Sequence, residues 1–386
     1  MARYTRAVFI TLLLFILVTY SSFRFGDVEP RIPHFYTQQP KQDPALEFKA
    51  HTGGLKDVQN ATLGFQKIFV VNLPERPDKL DAFSLAASLT GFRTEVLPGV
   101  KGETVMNKTL PTLNGLPEKK KERNNVIGCW RAHMNFARRV LNENLRTALV
   151  MEDDADWDIN LKNQMVLLAQ GTQYITGVPS GTRPMSPYGD DWDLLWIGHC
   201  SSTIQSGDQR RFIIENDNTV AIPEHRVNFL ENAINTTKEG LDPRTRLVYQ
   251  AGEGLCTYSY ALSNRGAQKM LMHQSLMKKW VPIDLGLGVM CKEEKNFKCL
   301  GVFPQLVDSH KGAGETNKDS DILDPSAKSE VREKGYTFNI VHSTRLNMDK
   351  LIRGEKPVDS EDWSQFPDQP PVEGPARTRT MNRQKR

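Results

Sequence analysis

Between residues 65 and 353 short apolar runs alternate with stretches of helical periodicity. Lys67–Leu73 (KIFVVNL) is apolar almost throughout, as a strand buried on both faces requires. Pro77 then suits the first turn of a helix, and Gly91 suits its stop. Arg93–Leu97 predicts the next strand. Ile127, Trp130, Met134, Ala137 and Leu141 return on one face and predict an amphipathic helix. Thr147–Met151 (TALVM), Trp192–Ile197 (WDLLWI), Thr257–Leu262 and Cys299–Phe303 (CLGVF) predict further strands. Ser263 is placed to cap a helix carrying Ala267, Met270, Leu271 and Met277. This alternation predicts an α/β fold with a mostly parallel sheet and helices on both faces. Gly171–Asp191, rich in Gly, Pro, Ser and Thr, reads as a long irregular insertion.

The flanks follow other patterns. Ala7–Phe23 (AVFITLLLFILVTYSSF) is an apolar run closed by Arg24. As a helix it spans about 25 Å, just under the ~27 Å hydrocarbon layer of the endoplasmic reticulum. No A-x-A cleavage site follows, so the run is expected to be an uncleaved transmembrane signal-anchor rather than a cleaved signal peptide. Residues 1–6 are then a cytosolic tail and 7–23 the span of a single-pass type II protein of the Golgi or endoplasmic reticulum membrane. Residues 24–64, with Pro30, Pro33, Pro40 and Pro44, read as a flexible stem. Residues 65–353 form the folded domain, expected on the lumenal side. Residues 354–386, Pro-rich and then basic, read as a disordered tail. The sequons Asn60-Ala-Thr, Asn107-Lys-Thr and Asn235-Thr-Thr fit a lumenal domain.

Composition narrows the class. Hydrophobic residues at 39% and charged residues at 25% are ordinary globular usage, which excludes a fibrous or wholly disordered protein. The net charge of +4 comes from 50 basic and 46 acidic residues scattered together, so no nucleic-acid partner is expected. The five Cys contain no CxxC, which argues against a zinc knuckle, and their odd number leaves one outside any set of pairs.

The chemistry is concentrated directly after the strand TALVM, where Glu152, Asp153, Asp154 and Asp156 crowd together. Strand ends in α/β sheets are where ligands bind. At ~5 Å and an effective dielectric near 20, each like-charged pair costs roughly 3 kcal/mol. A divalent cation removes that repulsion, and oxygen ligands favour Mg²⁺ or Mn²⁺ over zinc. The bland alternative is a solvated acidic turn with a helix cap. A dehalogenase-type phosphohydrolase site needs DxDx[TV], and Asp154-Ala155-Asp156 is followed by Trp157-Asp158 instead.

The order of segments resembles glycosyltransferase family 25, the family of lipopolysaccharide and collagen galactosyltransferases. Val71-Asn72-Leu73-Pro74-Glu75-Arg76-Pro77 is similar to its first strand and Arg-rich turn, and Val100-Lys101-Gly102 to its Val-x-Gly. Gly128-Cys129-Trp130-Arg131-Ala132-His133 is similar to Gly-Cys-x-x-Ser-His, departing at Ala132. Glu152-Asp153-Asp154 ends the next strand as in the family. Trp192–Gly198 resembles Trp-Asp-x-x-x-x-Gly, and Tyr258–Ala267 resembles Gly-Tyr-x-x-Ser-x-x-Gly-Ala with Ser259 for Gly. Pro282-Ile283-Asp284 and Ser320-Asp321-Ile322 match a Pro-x-Asp and a late Ser-Asp-Ile. The resemblance covers about residues 66–325.

The resemblance implies a GT-A-like fold, Mn²⁺ or Mg²⁺, a UDP-sugar donor such as UDP-galactose, and inverting transfer to a glycan or glycoprotein hydroxyl. Glu152 and Asp154 then stand for the DxD motif as metal ligands, with His310 as a third candidate after the last strand. Asn72, Arg76 and Asp153 are the expected donor contacts. Asp284 is the expected general base, or else a helix cap. His133 reads as a satisfied, partly buried histidine, His199 as a loop residue or acceptor contact, and Trp130 and Trp196 as core. Ala132 and Ser259 keep a second reading open, a sugar-binding or scaffold protein on a decayed transferase fold. A third reading is another metal-dependent phosphotransfer or hydrolase enzyme.

Overall fold

A computed structural model describes residues 54–227, 234–236, 240–322, 329–357, 360–370 and 372–382. The elements begin β1 (Lys67–Asn72), α1 (Pro77–Leu89), β2 (Glu95–Pro98), α2 (Lys120–Asn142), β3 (Thr147–Glu152), β4 (Ala155–Trp157) and α3 (Leu161–Thr176). They continue β5 (Leu194–Gly198), β6 (Ser201–Ile204), β7 (Arg210–Glu215), β8 (Arg246–Leu255), β9 (Ser259–Ser263), α4 (Asn264–Ser275) and α5 (Ile283–Glu293). They end β10 (Cys299–Phe303), β11 (Val307–Lys311), β12 (Gly314–Glu315), β13 (Val331–Arg332), β14 (Tyr336–Thr337) and β15 (Arg377–Asn382), apart from short helical turns.

The main sheet runs β15-β7-β8-β10-β5-β9-β3-β1-β2, with β6 paired to β8. β2, β1 and β3 pair parallel because α1 and α2 carry the chain back between them. β5 and β10 are also parallel. β9 runs antiparallel between β3 and β5, and β8, β7 and β15 continue antiparallel beyond β10. The α/β class therefore holds, with parallel pairing at the end that carries the strand-end carboxylates.

Helices do cover both faces. Phe69 on β1 packs with Ile127, Trp130, Met134 and Ala137 of α2 and with Ala267 and Met270 of α4. Its neighbours Ile68 and Val70 point the other way, onto Phe83 and Ala86 of α1 and Leu161, Met165 and Leu168 of α3. The Ile, Val, Leu, Met and Phe side chains among them each contribute about 1.5–3 kcal/mol on full burial. Trp130 and Trp196 are core residues. Ser263 caps α4 by accepting the Gly266 N–H.

Three expectations change. The insertion 171–191 is irregular only after Gly177, because Leu168, Thr172 and Ile175 extend the buried face of α3 and Gly177 ends it at φ 72°. The tail 354–386 is not disordered throughout: Arg377–Asn382 adds β15 antiparallel to β7, and Arg379 pairs with Glu215 at 2.7 Å. Its alternation (RTRTMN) is a strand pattern hidden by basic composition. As the odd cysteine count requires, Cys200–Cys256 and Cys291–Cys299 form disulfides and Cys129 stays outside them. The expected stem 24–64 is folded from Gly54 on, because Leu55–Gln59 is a 3-10 turn and Val58 and Leu63 are buried in the core; its earlier part and the expected anchor at 7–23 lie outside the described residues. Among the described residues no helix is long and apolar enough to cross a membrane.

Candidate functional site

The parallel register sets Val71 of β1 beside Glu152 of β3, so both strands release their chains at one edge. A cleft of about 270 Å³ opens there. Glu152, Asp153 and Asp154 line it, facing Gly99–Gly102 on one side and Asn124, Gly128, Cys129, Ala132 and His133 of α2 on another. The wall depends on backbone meeting backbone. A Cβ on Gly102 would stand 1.8 Å from the Asn124 carbonyl oxygen, and one on Gly128 2.2 Å from that of Val100. A second cleft of about 280 Å³ is lined by His310, Lys318 and Arg345; Lys79 and Asp154 line both clefts.

Asn72 donates its amide to Asp153 Oδ2 at 2.8 Å and to the Arg76 carbonyl at 2.9 Å. It therefore orients the carboxylate turn. Arg76 gives Nη1 to both oxygens of Asp321 at 2.5 and 2.7 Å, and Nε and Nη2 to Asp78. Its guanidinium is engaged by protein carboxylates. Burial pushes the Asp153 carboxyl up to about 6, against the pull of Lys79. Burial opposes charge on Lys79 too, yet Asp154, Asp153 and Asp321 together hold its ammonium above the ordinary value.

Glu152 Oε1 accepts the Thr257 hydroxyl at 2.6 Å and lies 3.7 Å from His133 Nε2. His133 is buried and turns Nδ1 to the Tyr260 hydroxyl at 3.1 Å, the satisfied role expected of it. Asp154 accepts the Ser309 hydroxyl at 3.0 Å through Oδ2, and its carbonyl accepts the His310 N–H at 2.8 Å. Burial pushes the His310 imidazole down to about 4, and its Nδ1 meets the Thr337 hydroxyl at 2.9 Å. Asp156 faces away from the cleft, holding the Thr337 hydroxyl at 2.6 Å, the Arg345 N–H at 3.1 Å and the Ser343 hydroxyl.

Metal fit rests on Asp154. Its Oδ1 is buried and accepts no hydrogen bond, as an oxygen awaiting a cation would. His310, neutral at pH 7, lines the same cleft. Among the described residues no group of three or more His, Cys, Asp or Glu is gathered for a metal. An open site for Mg²⁺ or Mn²⁺ needs only one or two carboxylates when substrate phosphates and water complete it.

Asp284 sits in the first turn of α5, after the Pro282 cap position, and is absent from the residues lining either cleft. Its oxygens accept the Cys256 N–H at 3.0 Å and the Leu285 N–H at 2.8 Å. One backbone donor thus reaches each oxygen, and Asp284 ties the start of α5 to the Cys256 turn. His199 is fully buried against the Val302 carbonyl at 2.9 Å, out of reach of any acceptor. Sequence reasoning missed Lys79, Thr257 and Arg345. Lys79 is three residues past Arg76 on α1, so helical spacing offered a signal. Arg345 reaches the Asp153 carbonyl at 2.7 Å from 192 residues away, and no local pattern marks it.

No family model matches the chain. Among curated proteins it is similar to procollagen galactosyltransferase 1 of Danio rerio, 26% identical over 276 residues, 68% of this chain and 37% of that protein. It is 24% identical to the probable inactive glycosyltransferase 25 family member 3 of Bos taurus, over 61% of this chain and 33% of that protein. A glycosyltransferase 25 family member of Drosophila melanogaster is 23% identical over 68% of this chain and 36% of its own length. The chain spans about a third of the length of these relatives. A solved mannose-1-phosphate geranyltransferase from Thermus thermophilus aligns at TM-score 0.24 and 9% identity over 62% of this chain and 60% of that one, too distant to carry an argument. The motifs from Asn72 to Asp321 and the curated relatives agree, and those relatives are glycosyltransferase 25 family members, at 22–26% identity over about 60–68% of the chain.

Proposed function

We propose that the chain is a metal-dependent, inverting glycosyltransferase of GT-A type, moving a hexose from a UDP-sugar to a hydroxyl of a glycan or glycoprotein. Galactose is the favoured hexose, since relatives are named galactosyltransferases. The observation that carries the reading is the strand-end cleft with Asp154 Oδ1 buried and unpartnered beside Asp153 and Glu152. Asp154 and His310 would hold Mn²⁺ or Mg²⁺. A cation bound there supplies charge neutralisation for the departing diphosphate.

The chain's own residues do the rest. Asn72 and Lys79 fix the Asp153–Asp154 turn. In a single displacement the acceptor oxygen bonds to the anomeric carbon, the bond from that carbon to the UDP oxygen breaks, and the hydroxyl proton passes to a base. Glu152 suits that base better than Asp284. It lines the cleft, is partly solvent-exposed, and keeps one oxygen free of the Thr257 bond. Glu152 then serves the proton rather than the cation. Membrane anchoring in the Golgi or endoplasmic reticulum remains part of the same proposal, resting on the 7–23 run.

The test is a donor screen of the purified protein, reading UDP or GDP release with and without Mn²⁺. UDP release that requires Mn²⁺ is expected. Two observations favour a second reading, a sugar-nucleotide-binding protein without turnover. Ala132 replaces the family Ser on the cleft wall, and two relatives are named inactive. No release in that screen, together with donor binding measured by calorimetry on the same protein, selects it.

A further inference from the structure

We propose that Asn107 carries an N-linked oligosaccharide. The inference stands apart from the transfer chemistry above. Two independent observations carry it. The chain closes two disulfides, Cys200–Cys256 across 56 residues and Cys291–Cys299 across 8. Disulfides of this structural kind form in oxidising compartments, where asparagine glycosylation also occurs. The second observation is how differently the fold presents its three sequons.

Asn60 is exposed, but its carboxamide oxygen accepts the Thr62 N–H at 2.7 Å, the Thr62 hydroxyl at 3.0 Å and the Gly64 N–H at 3.1 Å, holding a tight turn. Asn235 is exposed too, but it sits between buried Ile234 and buried Thr236 and is itself held by an interaction within the fold. Asn107 begins a one-turn 3-10 helix, Asn107–Thr109, on which all three residues are exposed. Its side chain makes no hydrogen bond among the described residues, so nothing is lost when Nδ2 is substituted. The preceding Met106 is 59% exposed, an apolar surface that a bulky glycan would shield from water. Asn107 itself does not line the cleft, so a glycan there does not occupy it through that residue.

The step balances without any group from this chain beyond the carboxamide. The host transferase joins Asn107 Nδ2 to the anomeric carbon of a polyprenyl-diphosphate-linked oligosaccharide. The bond from that carbon to the diphosphate oxygen breaks, the polyprenyl diphosphate leaves, and Nδ2 gives up one proton.

The test uses the full chain made in a eukaryotic secretory host. It is digested without reduction and its peptides are mapped by mass spectrometry before and after peptide N-glycosidase F in ¹⁸O water. The expected result is conversion of Asn107 to ¹⁸O-labelled aspartate. Asn107→Gln and Thr109→Ala should each remove one glycan from the intact mass, while Thr109→Ser keeps it. An unmodified Asn107 peptide overturns the assignment. If the Cys200–Cys256 peptide pair is intact in that sample, the choice of sequon is wrong; if it is reduced, the compartment is wrong. Glycan on Asn60 or Asn235 alone overturns it as well.

Discussion

The Thr257 hydroxyl donates to Glu152 Oε1 at 2.6 Å, and this bond ties the turn after β8 to the end of β3. The turn is held from several sides. Cys256 is bonded to Cys200, its N–H goes to Asp284, and its carbonyl accepts the Trp196 indole at 3.1 Å. Glu152 thus takes its orientation from a rigid neighbour. Thr257→Val should lower UDP release about tenfold, equivalent to ~1.4 kcal/mol of lost transition-state stabilisation. Thr257→Ser should restore it. Steady-state kinetics of the two variants check this, with the loss expected in kcat and little change in donor KM.

Asp284→Asn separates a brace from a base. A general base lost would cost on the order of 10²–10⁴ in kcat. The two backbone N–H groups on its oxygens predict instead a lower melting temperature and a kcat loss under about tenfold. Parallel thermal melts and kinetics decide; intact stability with a thousandfold kinetic loss would return Asp284 to the chemistry.

Asp154→Asn should abolish Mn²⁺-dependent release, by at least about 100-fold as expected for a lost charge at the reacting diphosphate. Without metal its melting temperature should stay near that of the parent, because Oδ1 makes no hydrogen bond to lose. Manganese titration followed by melting temperature supplies the second readout: the parent should be stabilised and the variant should not.

Gly102→Ala tests the cleft wall. The new methyl meets the Asn124 carbonyl, so the loop or α2 must move. Such overpacking costs about 1–3 kcal/mol. Gly312→Ala, whose Cβ meets nothing within 4 Å, should be near neutral in the same urea titration.

His199 predicts a pH dependence. Burial pushes its imidazole down to about 4 from the ordinary 6.5. Below that ordinary value the unfolded chain binds a proton that the folded chain refuses. Stability is therefore fully present above pH 6.5 and is lost as pH falls toward about 4, at about 1.4 kcal/mol per pH unit. His199→Gln can still donate to the Val302 carbonyl and should flatten that slope in urea unfolding at pH 7 and pH 5.

Strands with uninterrupted apolar runs, such as KIFVVNL and CLGVF, were legible because nothing else explains such a run of buried length. β7 (RRFIIE) and β8 (RLVYQAGEGL) were not. β7 is charged at both ends, and β8 opens on Arg246 and carries two glycines, one pressed on the Trp196 ring. The carboxylate turn was legible from its place after TALVM. Its partners were not, because Lys79, Thr257, Ser309 and Arg345 reach it from four different elements and loops. Arg76 was legible as a cation at the site, but its capture by Asp321, 245 residues away, depends on the tertiary fold.

The pairing of β15 with β7 has a meaning in time. Residues 377–382 leave the ribosome after every other strand of the main sheet, yet they occupy its outer rail. Until they arrive, β7 shows a bare row of N–H and C=O groups, the surface on which a nascent strand is captured by the wrong neighbour. A chain cut short before Arg377, or one in which this segment is held elsewhere by a fused partner, keeps that row open for life.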